Sequence, residues 1–145
     1  MAQIFVSGVA HFFVVVGGSK IHERMAHFFM DIYKLFGDIG VGLLILHKQG
    51  CVVYAERVGK CFTVSQGVTI GKGHPNKEGR DAPVIGNNVR VCPNSVIFGG
   101  IDIGDNVVIG AGTVLNKSVP NNCTVVGNPA KIIKMNGEKC DFPLV

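Results

Sequence analysis

Tryptophan is absent from the 145 residues, tyrosine occurs twice, and charged side chains make up only 17% of the chain. With no aromatic side chains interleaved among basic ones, nothing offers bases a surface to stack on. The net charge of +4 is also spread along the sequence, which argues against a nucleic-acid binder. A solvated surface accounts for that mild bias, although it would also suit an anionic small molecule. The five cysteines (Cys51, Cys61, Cys92, Cys123, Cys140) are odd in number and contain no Cys-x-x-Cys pair. Neither a disulfide scaffold nor a zinc knuckle is indicated, and a reducing, cytoplasmic setting is. No apolar run reaches the length of a membrane-spanning helix. The most apolar stretch, Ile4 to Val16, is interrupted by Gly8 and His11 and has no Lys or Arg before it, unlike a secretory signal. We read residues 1–18 as a strand or helix packed on the body or on a neighbouring subunit, with membrane contact as the alternative.

Glycine is what the chain has in quantity, 20 residues set among valine and isoleucine. From Ile85 the aliphatics keep a strict period of six: Ile85, Val91, Ile97, Ile103, Ile109 and Leu115. Three positions after each stands Asn88, Asn94, Gly100, Asn106, Gly112 or Ser118, types that tolerate a tight or left-handed backbone. One further on comes Val89, Ser95, Ile101, Val107, Thr113 or Val119. A helix would smear such a period around its axis, whereas a solenoid of short strands buries one aliphatic per flat side. Upstream, Val58, Val64 and Ile70 keep one register and Ile39, Ile45 and Cys51 another, offset by one extra residue near Arg57. Three rungs close a triangular coil, so we expect about four coils in a column roughly 19 Å tall, short enough that association is expected.

Ile21, Met25, Phe28, Phe29, Ile32 and Phe36 fall at helical spacing before Gly37. That predicts an amphipathic helix over 20–36, capping the lower end of the column. The boundaries read as 1–37 for the apolar segment and helix, 38–134 for the solenoid and 135–145 for a polar tail. Between Ile70 and Ile85 the period lapses. There Gly71-Lys-Gly-His-Pro-Asn-Lys-Glu-Gly-Arg-Asp-Ala-Pro83 is polar and rich in turn formers, predicting an exposed loop over 72–84. Loops carried on a rigid scaffold are where binding groups sit, with a tolerated insertion as the plain alternative.

Ile109-Gly-Ala-Gly-Thr-Val114, Val119-Pro120 and Val125-Val-Gly-Asn-Pro-Ala-Lys131 carry a resemblance, joined upstream by three further segments. These are Gly40-Val-Gly42, His47-Lys-Gln-Gly-Cys-Val-Val53 and Gln66-Gly-Val-Thr-Ile-Gly71. Together they are similar to the left-handed parallel β-helix acyltransferases of the hexapeptide-repeat superfamily. Over residues 38–134 the chain most resembles serine acetyltransferases and their relatives that acetylate capsule or exopolysaccharide sugars. The resemblance implies an acetyl-CoA-dependent O-acetyltransferase acting on a small-molecule hydroxyl, of serine or of a sugar. It also implies a homotrimer with active sites at the subunit seams.

Acyl transfer from a thioester needs a base for the alcohol proton, donors for the oxyanion and a slot for the long co-substrate. By resemblance His47 occupies the general-base position, and imidazole exchanges a proton near neutral pH. Asp31 and Asp38 are equal candidates to orient it. His11, His22 and His27 fall in the apolar leader and helix and read as structural or surface residues. In the repeat register His47, Gln66, Pro93 and Ala111 stack about 5 Å apart, and compact Pro93, Ala111 and Gly112 leave a groove for the pantetheine arm. Lys72, Gly99 and Lys117 form the next column. Gly71, Lys72 and Gly73 are placed to offer backbone N–H groups to the thioester carbonyl, and Lys117 and Lys131 to meet the phosphates. Leu46 stands where the family has an acid before the base, and Asp81 and Ala82 where its loop has an Arg-His pair. His74, Arg80 and Asp81 are the candidates for gripping the acceptor. A reading of another class is a non-catalytic solenoid that binds a partner or caps an assembly. The γ-carbonic-anhydrase branch of the fold needs three metal-binding histidines. Only His47 and His74 fall in the solenoid, so no metal is expected.

Overall fold

The computed structural model describes residues 34–47 and 49–144, with the backbone alone for residues 34–37. Residues 1–18 and most of the expected 20–36 helix lie outside the described residues. Where the two overlap, the expectation fails: Lys34–Ile39 is strand β1, so residues 34–36 are not helical. Parallel pairing with β3 (Val52–Val58) gives this backbone a ladder to join, and that outweighs the helical spacing of the side chains.

Every element among the described residues is a strand, and most are two or three residues long. After β1 and β3 come β2 (Leu44–Leu46), β4 (Thr63–Ser65), β5 (Thr69–Gly71), β6 (Val84–Ile85) and β7 (Arg90–Val91). Then follow β8 (Val96–Phe98), β9 (Asp102–Ile103), β10 (Val108–Ile109) and β11 (Val114–Leu115). The chain ends in β12 (Cys123–Val126), β13 (Lys131–Met135) and β14 (Glu138–Pro143). They form two seven-stranded sheets, parallel throughout except where β13 pairs antiparallel with β12 and with β14.

The aliphatic beat becomes three stacks of paired residues. The first holds Ile45, Val64, Val91, Ile109 and Val125. The second holds Val53, Ile70, Ile97 and Leu115. The third holds Ile39, Val58, Ile85 and Ile103, with Val119 bridging onto Ile103. All but Ile39 are buried, because each is the inward residue of a strand whose neighbours point out. Strand β3 serves two stacks, its first half pairing with β5 and its second with β6.

One detail of the register departs from the sequence reading. Val53, not Cys51, is the partner of Ile70. Val53 follows Ile45 by eight positions and Val58 follows Val53 by five, so the single offset near Arg57 is the sum of two opposite changes. Cys51 is buried one step earlier, where its thiol donates to the Ser65 carbonyl at 2.9 Å. Burial pushes the Cys51 thiol above its ordinary pKa. All five cysteines are free.

Two of the corners are turned by left-handed residues. At one, Gly50, Gly67, Asn94 and Gly112 have φ between 59 and 68°. At another, Gly42, Cys61, Asn88, Asn106 and Asn122 do the same work, and their side chains add a ladder. Asn88 Nδ2 donates to Asn106 Oδ1 and Asn106 Nδ2 to Asn122 Oδ1, each at 2.9 Å. Asparagine suits these positions because it tolerates positive φ and its amide both donates and accepts.

The segment read as a polar tail is instead mostly strand. β14 folds back antiparallel on β13, which is antiparallel to β12, and Ile132 and Leu144 are buried. Residues 72–83 lie outside the strands and dock back onto the column, while Val84, read as the end of the loop, is the first residue of β6. Gly73 N–H donates to the Asp81 carbonyl at 2.9 Å, Asn76 N–H to the Arg80 carbonyl at 2.9 Å, and Gly100 N–H to the His74 carbonyl at 3.1 Å. Ala82 and Pro83 are buried.

Candidate active site

His47 follows β2 at a bend with φ 56° and is exposed. Left-handed backbone at a residue with a Cβ is unfavourable by about 1 kcal/mol. It is held on both sides: Leu46 pairs with Ser65, and Gly67 N–H donates to the Gln49 carbonyl at 2.9 Å. The next layers repeat that last bond, from Asn94 to Gln66 at 3.1 Å and from Gly112 to Pro93 at 2.9 Å. Gln49, rather than His47, therefore lies under Gln66, with Pro93 and Ala111 above. His47 sits just ahead of the stack, in the extra length after Leu46. A sequence signal for this exists: Gln49-Gly-Cys-Val-Val53 and Gln66-Gly-Val-Thr-Ile70 are the same rung written twice, and aligning them gives the observed register.

Pro93 is half-buried, Ala111 and Gly112 are exposed, and a Cβ on Gly112 would meet nothing within 4 Å. That open surface fits a slender chain lying along the corner. Asp38 is exposed in the stack of Arg57, Val84 and Asp102, a different stack from the one that ends at His47. Asp31 lies outside the described residues. The structure does not bring Asp38 and His47 together on one stack.

The remaining candidates occupy another corner, where β5 ends and the loop begins. Lys72 Nζ lies 3.0 Å from Asp81 Oδ2 and 5.3 Å from the centroid of the Tyr54 ring. Its hydrogen bond and attraction to Asp81 raise the ammonium above the ordinary lysine pKa. The Gly73 N–H, expected as an oxyanion donor, is taken by the Asp81 carbonyl, while a Cβ on Gly71 would find open space. Arg80 Nη2 donates to Asp102 Oδ1 at 2.8 Å and to the Gly100 carbonyl at 3.3 Å. Asp102 is a partner that sequence reasoning missed, because nothing local links positions 22 residues apart. His74 is exposed. At the upper end Lys117 Nζ donates to the Leu144 carbonyl at 2.9 Å, and Lys131 Nζ lies 3.0 Å from Asp141 Oδ1. A cavity of about 160 Å³ beside Lys117 is lined by Asn116, Asn128, Pro129, Ala130 and Leu144 among others. Among the described residues no three His, Cys, Asp or Glu gather as a metal site, and no helix is long and apolar enough to cross a membrane.

Short parallel strands stacked at a six-residue spacing, with an exposed histidine at a corner, define a hexapeptide-repeat protein, a class whose fold is the left-handed β-helix. Residues 82–117 match the family described as bacterial transferase hexapeptide (six repeats). A serine acetyltransferase of Staphylococcus epidermidis is 42% identical over 123 residues, 83% of this chain and 57% of that protein. A crystal structure of Neisseria gonorrhoeae serine acetyltransferase in complex with serine has a TM-score of 0.63 at 37% identity, covering 77% of this chain and 45% of that one. A serine acetyltransferase in complex with CoA has a TM-score of 0.58 at 30% identity, covering 67% and 39%. The chain is thus a member of the hexapeptide-repeat transferases whose curated and structural relatives are serine acetyltransferases. It spans about half the length of the curated relatives it matches.

Proposed function

We propose that the protein is an acetyl-CoA-dependent O-acetyltransferase in which His47 is the general base. The observation that carries this is an exposed imidazole at a rigid left-handed corner, beside a stack that narrows upward to Pro93, Ala111 and Gly112. That is a base next to an open slot, on a chain similar to proteins solved with CoA and with serine. His47 takes the proton of the acceptor hydroxyl, whose oxygen then attacks the acetyl carbonyl. Acetyl-CoA supplies the acyl group and the thiolate leaving group. Pro93, Ala111 and Gly112 flank its pantetheine arm, and Lys117 and Lys131 meet its phosphates by exchanging their present partners, Leu144 and Asp141. Gly71 and Lys72 offer backbone donors near the thioester.

The three stacks are the sides of a left-handed triangular column of about four coils. His47 and the docked loop lie at different corners of one chain, so a complete site calls for a second chain. That supports a homotrimer with sites at the seams, where Asp38, His74, Arg80 or Asp81 of one copy would face His47 of another. The acceptor is a small-molecule hydroxyl; serine would place the enzyme in cysteine biosynthesis, in the cytoplasm. The comparisons do not favour a non-catalytic scaffold. The test is thiol release from acetyl-CoA: His47→Ala should lower kcat by about 10²–10⁴-fold, the usual contribution of a general base, with coenzyme A binding by calorimetry unchanged. Equal turnover in parent and variant would remove His47 from the chemistry.

A further inference from the structure

We propose that Lys134 and Lys139, which face each other across the final hairpin, hold the 3′-phosphate of the acyl donor and make the protein selective for coenzyme A over donors that lack it. This rests on the acetyltransferase reading above and adds two residues that sequence reasoning missed. Lys134 on β13 is the direct partner of Lys139 on β14, and both are exposed. Like charges directly opposite on paired strands repel, their Cβ atoms being only about 5 Å apart. Among the described residues no acid forms an ion pair with either ammonium, whereas Lys72, Arg80 and Lys131 each have one. A cation pair set against itself in this way is a site for an anion.

The acids nearby are engaged or face elsewhere. Asp141 follows Lys139 by two positions and so shares its face, but its carboxylate lies on Lys131 at 3.0 Å. Glu138 is the partner of Met135, which packs on the core, so it belongs to the other face of the hairpin. Asp105 lies round the corner, where it accepts from the Asn87 backbone N–H at 2.6 Å and from Asn87 Nδ2 at 3.1 Å. At the upper end of this face three lysines against one aspartate leave two positive charges. Arg90, three strands below Lys134, adds to that excess. A phosphate monoester carries close to two negative charges at neutral pH, which matches it.

Reach agrees as well. Leu46, the residue before His47, stands in a column that rises through β4, β7, β10 and β12 to β13, five strand steps or about 24 Å. Ser65, Cys92, Gly110 and Val126 occupy that column in between, and none of them is charged or large. In coenzyme A about 21 bonds separate the sulfur from the 3′-phosphorus, and an extended chain covers ~3.5 Å in every three, again about 24 Å. A donor with its thioester at His47 therefore brings its 3′-phosphate level with the lysine pair.

The experiment is calorimetry of coenzyme A and of 3′-dephospho-coenzyme A on three proteins: the parent, a Lys134→Met/Lys139→Met double variant, and a Lys134→Arg/Lys139→Arg double variant. The parent should hold coenzyme A at least ~10-fold tighter than the dephospho form, an advantage that shrinks as salt is added. The methionine variant should bind the two ligands within about twofold of each other, and the arginine variant should keep most of the preference. Without ligand the methionine variant should melt at or above the parent, because it loses two facing like charges. Equal binding of both ligands by the parent overturns the proposal and leaves the transferase reading in place. A methionine variant that keeps the preference, or that weakens both ligands alike, overturns it too. A parent that binds neither ligand removes both readings.

Discussion

Single residues at the loop junction decide whether the candidate site keeps its shape. Gly100 donates its N–H to the His74 carbonyl, and the place of its missing Cβ is filled by the Arg80 carbonyl. Gly100→Ala must therefore push the loop off the column, since backbone cannot yield as a flexible side chain would. Faster hydrogen exchange at Asn76, Gly79 and Arg80 is the expected outcome, with a stability loss of about 1–3 kcal/mol, as for other strained core substitutions. Unchanged exchange across the loop would mean that it docks by other contacts. The Lys72–Asp81 pair stands in contrast. Both side chains are about half exposed, so removing the pair alone should leave the melting curve nearly unchanged. Because the ammonium is raised, whatever stability the pair contributes is present below the ordinary lysine pKa and lost as the pH climbs through the raised one.

At the scale of the element, two-residue strands have little stability of their own and depend on the corners that align them. The asparagine ladder is the clearest case. Asn106 has φ 56°, accepts from Asn88 and donates to Asn122. Asn106→Ala loses both side-chain bonds and keeps the backbone strain, so we expect a loss of about 2–3 kcal/mol in urea unfolding. Asn106→Gly relieves the strain and should lose about 1 kcal/mol less. If alanine and glycine are equivalent, the left-handed backbone is not what asparagine serves here. The final hairpin works differently: β13 and β14 pair antiparallel and bury Ile132 and Leu144, closing the upper end with hydrogen bonds rather than with another rung.

The molecule as a whole is a stack in which each layer touches only its neighbours, so stability is close to a sum over layers. Such a column leaves half-buried apolar side chains on its outside, among them Leu44, Leu46, Val108 and Val126 on one face. A single chain also separates the His47 corner from the loop corner. Both features support the seam-sharing trimer, which predicts a solution mass of three times 15.4 kDa by sedimentation equilibrium. A stable monomer with full thiol-releasing activity would rule out sites built from two chains.

The amino-acid sequence by itself determined the repeat, the inward aliphatics from Ile85 to Leu115 and four of the left-handed corner residues, Asn88, Asn94, Asn106 and Gly112, whereas Gly100 and Ser118 do not have positive φ. All of these are local, each being set by one rung and its neighbours. It misplaced His47 by two positions, since the repeat register put it under Gln66, where the structure has Gln49. Only the tertiary structure decided that Arg80 is spoken for by Asp102 and that Gly73 has no N–H to spare. Those facts depend on hydrogen bonds between layers and across a folded-back loop. No periodicity along the chain encodes them, because the loop interrupts the repeat and its groups meet their partners only once it has folded back onto the column.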